Sequence, residues 1–171
     1  MKVWPQLFLI AGTNRNVGKT TLACRVIEQI SKEQQVVGVK ISPHFHELGS
    51  TLEIVHQSKN CFITFETSPV PVKDSSRMLA AGAQRVYYIQ ANDESLPEVF
   101  EFLHWNIPGS MAVVCESAAL RRFVEPGMFV ILSGKGEVVK NLDLLLWADV
   151  HVQDFNFESL KFRFSHGGWQ K

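Results

Sequence analysis

The segment Gly12-Thr13-Asn14-Arg15-Asn16-Val17-Gly18-Lys19-Thr20-Thr21 constrains the fold of this chain more than any other. Before it, Leu7 to Ala11 is a short unbroken apolar run, the pattern of a central strand buried on both faces of a parallel sheet. After it, Leu22, Ala23, Val26, Ile27 and Ile30 recur at three- and four-residue intervals between Lys19 and Lys32, which marks one face of an amphipathic helix. A glycine-bearing loop between a buried strand and a helix start aims backbone N–H groups, a partial positive charge and a lysine at one anion. A phosphate is the anion this arrangement suits.

The pattern continues as alternating strands and helices. Val36 to Ile41 reads as the second strand, stopped at Ser42-Pro43 because the residue before proline avoids the helical region. Residues 44–74 show no sustained period and read as an elaborated crossover, with Phe62 to Phe65 a candidate strand. A helix over Ser75–Ala83, a strand over Arg85–Gln90, a helix over Glu94–Trp105 with Pro97 in its first turn, and a strand over Met111–Cys115 follow. Met128–Ser133 and Val150–Val152 read as strands on either side of a helical stretch, Leu142–Trp147. This alternation predicts an α/β fold with a mostly parallel sheet and helices on both faces, and 171 residues suit a single domain over 1–171. The aromatic stretch with Phe155, Phe157, Phe162 and Phe164 lacks a period, so 155–171 is expected to form a peripheral C-terminal tail.

Within the loop, Gly12 and Gly18 permit the close backbone approach that side chains block, and Thr13, Asn14, Asn16 and Val17 present main-chain groups between them. Lys19 would reach the β and γ phosphates, while the Thr20 hydroxyl, with Thr21 beside it, would ligate Mg²⁺. Five residues separate Gly12 from Gly18, one more than the strict Walker A pattern allows. Glu116 ends the Met111–Cys115 strand, where the carboxyl end of a parallel strand faces the ligand crevice and an acid can hold Mg²⁺. The alternative is a loop acid favoured by a nearby helix dipole. Lys40, at the end of the second strand, is a catalytic candidate that could touch a substrate or phosphate, or be a solvated strand-end lysine. Asp74 could contact a metal or substrate, or cap the helix that follows. His44 and His46 share one face if extended, but without a third ligand they suit a surface loop. Arg15 could stabilise transferred charge or point to solvent, and Arg121 and Arg122 are equally ambiguous. No Asn-Lys-x-Asp guanine signature occurs, and Ser133-Gly134-Lys135-Gly136 occupies the place of such a loop, so ATP and GTP both remain open.

Gly12 to Thr20 resembles the phosphate loop of dethiobiotin synthetase, which has the same longer spacing with a Gly-Thr start and a Val-Gly-Lys-Thr end. Val39-Lys40-Ile41-Ser42-Pro43-His44-Phe45-His46, and Lys73-Asp74-Ser75-Ser76-Arg77 before Ala81-Gly82-Ala83, resemble the MobB family of molybdopterin-guanine dinucleotide biosynthesis proteins. The position of Glu116 is similar to the acidic residue after the Walker B strand of that superfamily. The resemblance implies a P-loop NTPase fold, Mg²⁺ and a nucleoside triphosphate. It implies a slow nucleoside triphosphatase of the MobB kind, or an ATP-dependent ligase or kinase in which Lys40 and Asp74 position an acceptor.

Composition narrows the partners. Seventeen Lys+Arg balance seventeen Asp+Glu, which leaves no overall field to draw the chain to nucleic acid or anionic membranes. Cys24, Cys61 and Cys115 form no C-x-x-C pair, and the apolar run near Leu7 is too short for a membrane span. A cytoplasmic protein is the expectation. A third reading is a nucleotide-dependent adaptor whose apolar tail docks a partner or a second copy as a homodimer.

Overall fold

The computed structural model describes residues 1–134, 140–154, 156–157 and 160–170. Ten strands run in chain order: β1 (Lys2–Gly12), β2 (Val36–Ser42), β3 (Leu52–Ser58), β4 (Cys61–Glu66), β5 (Arg85–Ala91), β6 (Ala112–Glu116), β7 (Val124–Ser133), β8 (Val150–Gln153), β9 (Arg163–Ser165) and β10 (Gly168–Gln170). Three α-helices are interleaved: α1 (Lys19–Ile30), α2 (Asp74–Ala80) and α3 (Leu96–Asn106). Short 3₁₀ turns occupy Asp93–Ser95, Ala119–Arg122 and Leu142–Trp147. None of these helices is long and apolar enough to cross a membrane.

Eight strands form one sheet in the order β3-β4-β5-β2-β6-β1-β7-β8, and β9-β10 is a separate antiparallel pair. Six neighbours, β5-β2-β6-β1-β7-β8, are parallel throughout. This is the expected α/β architecture. In β1, Leu7, Leu9 and Ala11 enter one core layer with α3, whereas Phe8 and Ile10 enter the other with α1. A strand covered on both faces needs apolar residues at every position, which is why its sequence is a run and not an alternation. The pairing of β1 with β7 shifts register between Trp4 and Phe8, across Pro5, which has no N–H for a ladder.

Two segments depart from expectation. Residues 44–74 contain a full β3–β4 hairpin that adds to β5 antiparallel, so the single candidate strand Phe62–Phe65 is the inner arm of a pair. The described part of the segment 155–171 is not peripheral. Phe157, Phe162, Phe164 and Trp169 are buried against Phe8, Val26 and Val130. Phe8 sits edge-on to Phe162 at 4.7 Å and to Trp169 at 4.9 Å. Three polar anchors fix this cover: the Trp169 indole N–H donates to Gln6 O (2.7 Å), and the Gln29 and Gln34 amides donate to Phe162 O (2.7 Å) and Phe164 O (2.8 Å). Phe155 lies outside the described residues.

Candidate functional site

Both neighbours of β1 pair with it to its carboxyl end, Ile10 opposite Glu116 and Gly12 opposite Leu132. The loop that leaves β1 therefore starts at a fixed point between two strands, where open α/β sheets bind their ligands. Thr13, fully buried, donates its N–H to Leu132 O at 2.9 Å. From the other side Asn141 Nδ2 donates to Gly12 O (2.9 Å) and Lys140 N to Thr13 O (3.2 Å). A Cβ at Gly12 would lie 2.7 Å from Val17 Cγ2 and 3.1 Å from Lys19 Cδ, so the loop closes on itself only with glycine there. Gly18 adopts φ +85° and immediately precedes α1. No side chain caps α1 and its first turn carries no acid, which leaves its free N–H groups and dipole directed at the cleft.

Below the loop a chain of polar contacts joins four elements. The Thr20 hydroxyl donates to Glu116 Oε2 at 2.8 Å. Lys40 Nζ donates to Glu116 Oε1 at 2.5 Å and approaches Asp74 Oδ2 at 3.2 Å. Asp74 faces Arg77 at 3.7 Å one turn along α2, and Arg77 Nη2 donates to Thr21 Oγ1 at 3.4 Å. Glu116 is buried and Lys40 largely so. Burial works against the Lys40 charge, yet the carboxylates of Glu116 and Asp74 outweigh it and hold its pKa above the usual lysine value. Lys19 is shifted the other way: burial lowers its pKa, with a further push from Lys40 and Lys140, against the pull of Glu116. The cleft thus holds a cation short of negative charge, which an anion would supply.

Two adjoining clefts share this centre. One, of about 420 Å³, lies between Arg15–Thr21, Lys40, Asp74, Arg77 and Glu116. The other, of about 870 Å³, shares Arg15, Lys19, Lys40 and Glu116 with it, adds Gly12 and extends across the ends of β2 and β5. The expected residues Gly12–Thr21, Lys40, Asp74 and Glu116 are therefore brought together.

Several alternatives are decided by these contacts. Glu116 is a buried partner of Thr20 and Lys40, not a solvated loop acid, and Lys40 is not a free strand-end lysine. Asp74 is the first residue of α2 instead of its cap; the cap position is Lys73, whose N–H donates to the Ser76 hydroxyl at 2.9 Å. Arg121 is structural, donating to Val124 O and lying over the Phe129 and Trp147 rings. Arg122 reaches the second cleft but is paired with Asp143 at 2.9 Å. His44 and His46 line the second cleft. Among the described residues, no three His, Cys, Asp or Glu side chains group as a metal site. Of the segment considered for base recognition, Lys135 and Gly136 lie outside the described residues.

Sequence reasoning missed Glu66, Arg77, Gln90 and Asn141. Buried Glu66 accepts from Ser75 Oγ (2.7 Å) and Ser68 N (3.1 Å), fixing the start of the helix that carries Asp74. Arg77 was detectable, since it follows Asp74 by three residues and so shares a helix face. Gln90 and Asn141 gave no signal, because their roles come from loops distant in sequence.

Thr20 and Glu116 offer hard oxygen donors of the type Mg²⁺ prefers, and that ion commonly completes its shell with water and phosphate oxygens. The donor set fits.

No family model and no curated protein matches the chain. Among solved structures it is similar to LpxK from Aquifex aeolicus, whose "apo" form was determined in complex with ATP at 2.2 Å resolution. The TM-score is 0.54 at 16% identity, covering 98% of this chain and 54% of LpxK. The chain thus spans about half the length of LpxK. The likeness shows the fold alone: an α/β fold with a mostly parallel sheet flanked by helices.

Proposed function

We propose that this chain binds a nucleoside triphosphate, ATP or GTP, as its Mg²⁺ complex in the cleft over Gly12–Thr21. The observation that carries this reading is the combination of an uncapped α1 N-terminus with Lys19 above the buried Thr20–Glu116–Lys40 network. Backbone N–H groups of residues 15–19 would cradle the β phosphate, and Lys19 would span the β and γ oxygens. Thr20 and Glu116 would hold Mg²⁺, directly or through water, and the ion would supply charge neutralisation at the phosphates. Lys40, moving off Glu116 by a bond rotation, would reach the outer phosphate, with Asp74 keeping its ammonium in place. Slow hydrolysis, as in the MobB-like accessory proteins, follows from these groups, since positioning and charge stabilisation account for most of phosphoryl-transfer catalysis.

The second cleft favours a second reading, transfer to a small acceptor in the manner of dethiobiotin synthetase. A cleft of about 870 Å³ that shares Lys19 and Lys40 with the phosphate site is more than hydrolysis requires.

Calorimetry with ATP and with GTP in the presence of Mg²⁺ tests the first reading. Saturable binding that weakens by about 100-fold in Lys19→Ala is expected, the scale of losing hydrogen bonds to a charged group. Absence of binding by both nucleotides, or affinity unchanged in the variant, would discard it.

A further inference from the structure

The second cleft has a built wall on each side of the phosphate centre. On one side, Gln90, buried at the end of β5, clamps the loop after β2: its Nε2 donates to His46 O and its Oε1 accepts from His46 N, both at 3.1 Å. Ser42 Oγ engages the N–H and O of His44 in the same loop at 3.2 and 3.1 Å. The two imidazoles, with ring centroids 6.2 Å apart, are therefore held at the cleft by anchored backbone. On the opposite side, Lys140 and Asn141 are tied by their hydrogen bonds to Thr13 and Gly12. Between the walls, Ala91, Leu96 and Ala118 supply an apolar floor.

The charges of this cleft do not balance. Arg15, Lys19, Lys40, Arg122 and Lys140 face it, against Asp93 and Glu116. Lys40 is matched by Glu116, and Arg122 by Asp143. Among the described residues, Arg15, Lys19 and Lys140 make no ion pair. A bound triphosphate would engage Lys19 and still leave Arg15 and Lys140. The His44 and His46 rings each bring an N–H donor to the cleft, and a partly apolar cavity of this size is typical of small-molecule sites.

We propose that this cleft is a second ligand site, taking a small molecule with a carboxylate or phosphate monoester on a short hydrocarbon skeleton, its anion against Lys140 and its other end against the His44–His46 wall. The position beside the outer-phosphate end rests on the nucleotide reading above. The occupant would lie next to Lys19 and Lys40 while the triphosphate lies on the other side of them, which is the placement of an acceptor. The ligand's charge is the specificity device: a neutral analogue would leave Lys140 and Arg15 without an anionic partner.

The test uses the full chain saturated with a non-hydrolysable triphosphate analogue and Mg²⁺, so that the phosphate loop is occupied. Succinate and glycerol 3-phosphate are titrated separately while the imidazole C–H resonances are followed by NMR. At least one probe is expected to shift His44 and His46 saturably, leaving His56 and His104 in place, and its apparent affinity should fall at least tenfold in Lys140→Glu. The two arms separate carboxylate from phosphate recognition, and glycerol, the neutral control, should shift neither histidine. No saturable shift with either anion, or shifts unchanged in Lys140→Glu, would overturn the proposal. Should calorimetry find no nucleotide affinity, the nucleotide reading falls by itself. The same titration on the free protein then decides the cleft, with succinate as the arm that does not mimic a nucleotide phosphate.

Discussion

The centre of the sheet and its hairpin edge are built from the same element type and held by opposite means. In the centre, Phe8, Leu9 and Ile10 of β1 are fully buried between β6 and β7, and the loop over Gly12–Thr21 is carried on that packing. At the edge, β3 has no fully buried residue and Ile54 is about half exposed. There the contacts are polar: His56 Nε2 meets Glu98 Oε1 and Ser58 Oγ donates to Glu98 Oε2 at 3.0 Å, joining the hairpin to α3. The loop that leaves β1 rests on the rigid floor of the first region. The second region can be altered without disturbing that floor.

The largest expected effect breaks the centre. Phe8→Ala removes the ring between Phe162 and Trp169 and should cost about 3–5 kcal/mol in urea unfolding, as large-to-small changes of buried aromatics do. A loss near or below about 1 kcal/mol, the scale of a surface pair, would remove the distinction between the regions.

An intermediate effect belongs to the polar heart of the site. Lys40→Met withdraws the ammonium from between Glu116 and Asp74, leaving buried Glu116 with the Thr20 hydroxyl alone, and should cost about 1–3 kcal/mol near neutral pH. Because the folded-state pKa of Lys40 is raised, the pair's stabilisation is complete below the ordinary lysine value of 10.5 and is lost as pH rises through the folded value. The gap between wild type and variant should therefore stay level through neutral pH and narrow above about pH 10.5. A gap that widens in alkali would contradict the pairing.

The smallest effect sharpens the contrast at the edge. Glu98→Gln should cost less than about 1 kcal/mol, because both partners are a third or more exposed and solvent screens them. The hydrogen bond from His56 holds the Glu98 pKa below its usual value of 4.5. That contribution is present above about pH 4.5 and disappears as pH falls through the lowered value, so wild type and variant should converge in acid. Nucleotide affinity measured on the same variant should remain that of wild type.

The same contrast governs how much the sequence disclosed. The strand, loop and first helix were legible because their signals are local: an apolar run, two glycines, a lysine and a threonine in sequence, then a helical period. Glu116 was legible as the residue after an apolar run. Its partnership with Lys40 was not, since β2 and β6 become neighbours only when the sheet assembles. Strand β3 was hidden because its pairing shifts register between Ile54 and His56, which breaks the period of two, and because neither face is deeply buried. The tail's aromatics misled for a different reason. Trp169 is fixed by the backbone carbonyl of Gln6, and the carbonyls of Phe162 and Phe164 by the side chains of Gln29 and Gln34, contacts without spacing to read.

The central place of β1 also sets an order of assembly. Its partners are remote in the chain, Leu7 with Val113 and Gly12 with Leu132, and its outer face waits for Phe162 and Trp169. Pairing so non-local is slow to form, because the loop-closure entropy is met before any contact rewards it. During synthesis the loop that leaves β1 would emerge before β6 and β7 and stay without a scaffold until they have been made. The cleft would then take shape near the end of folding, so that its completion reports on the whole sheet.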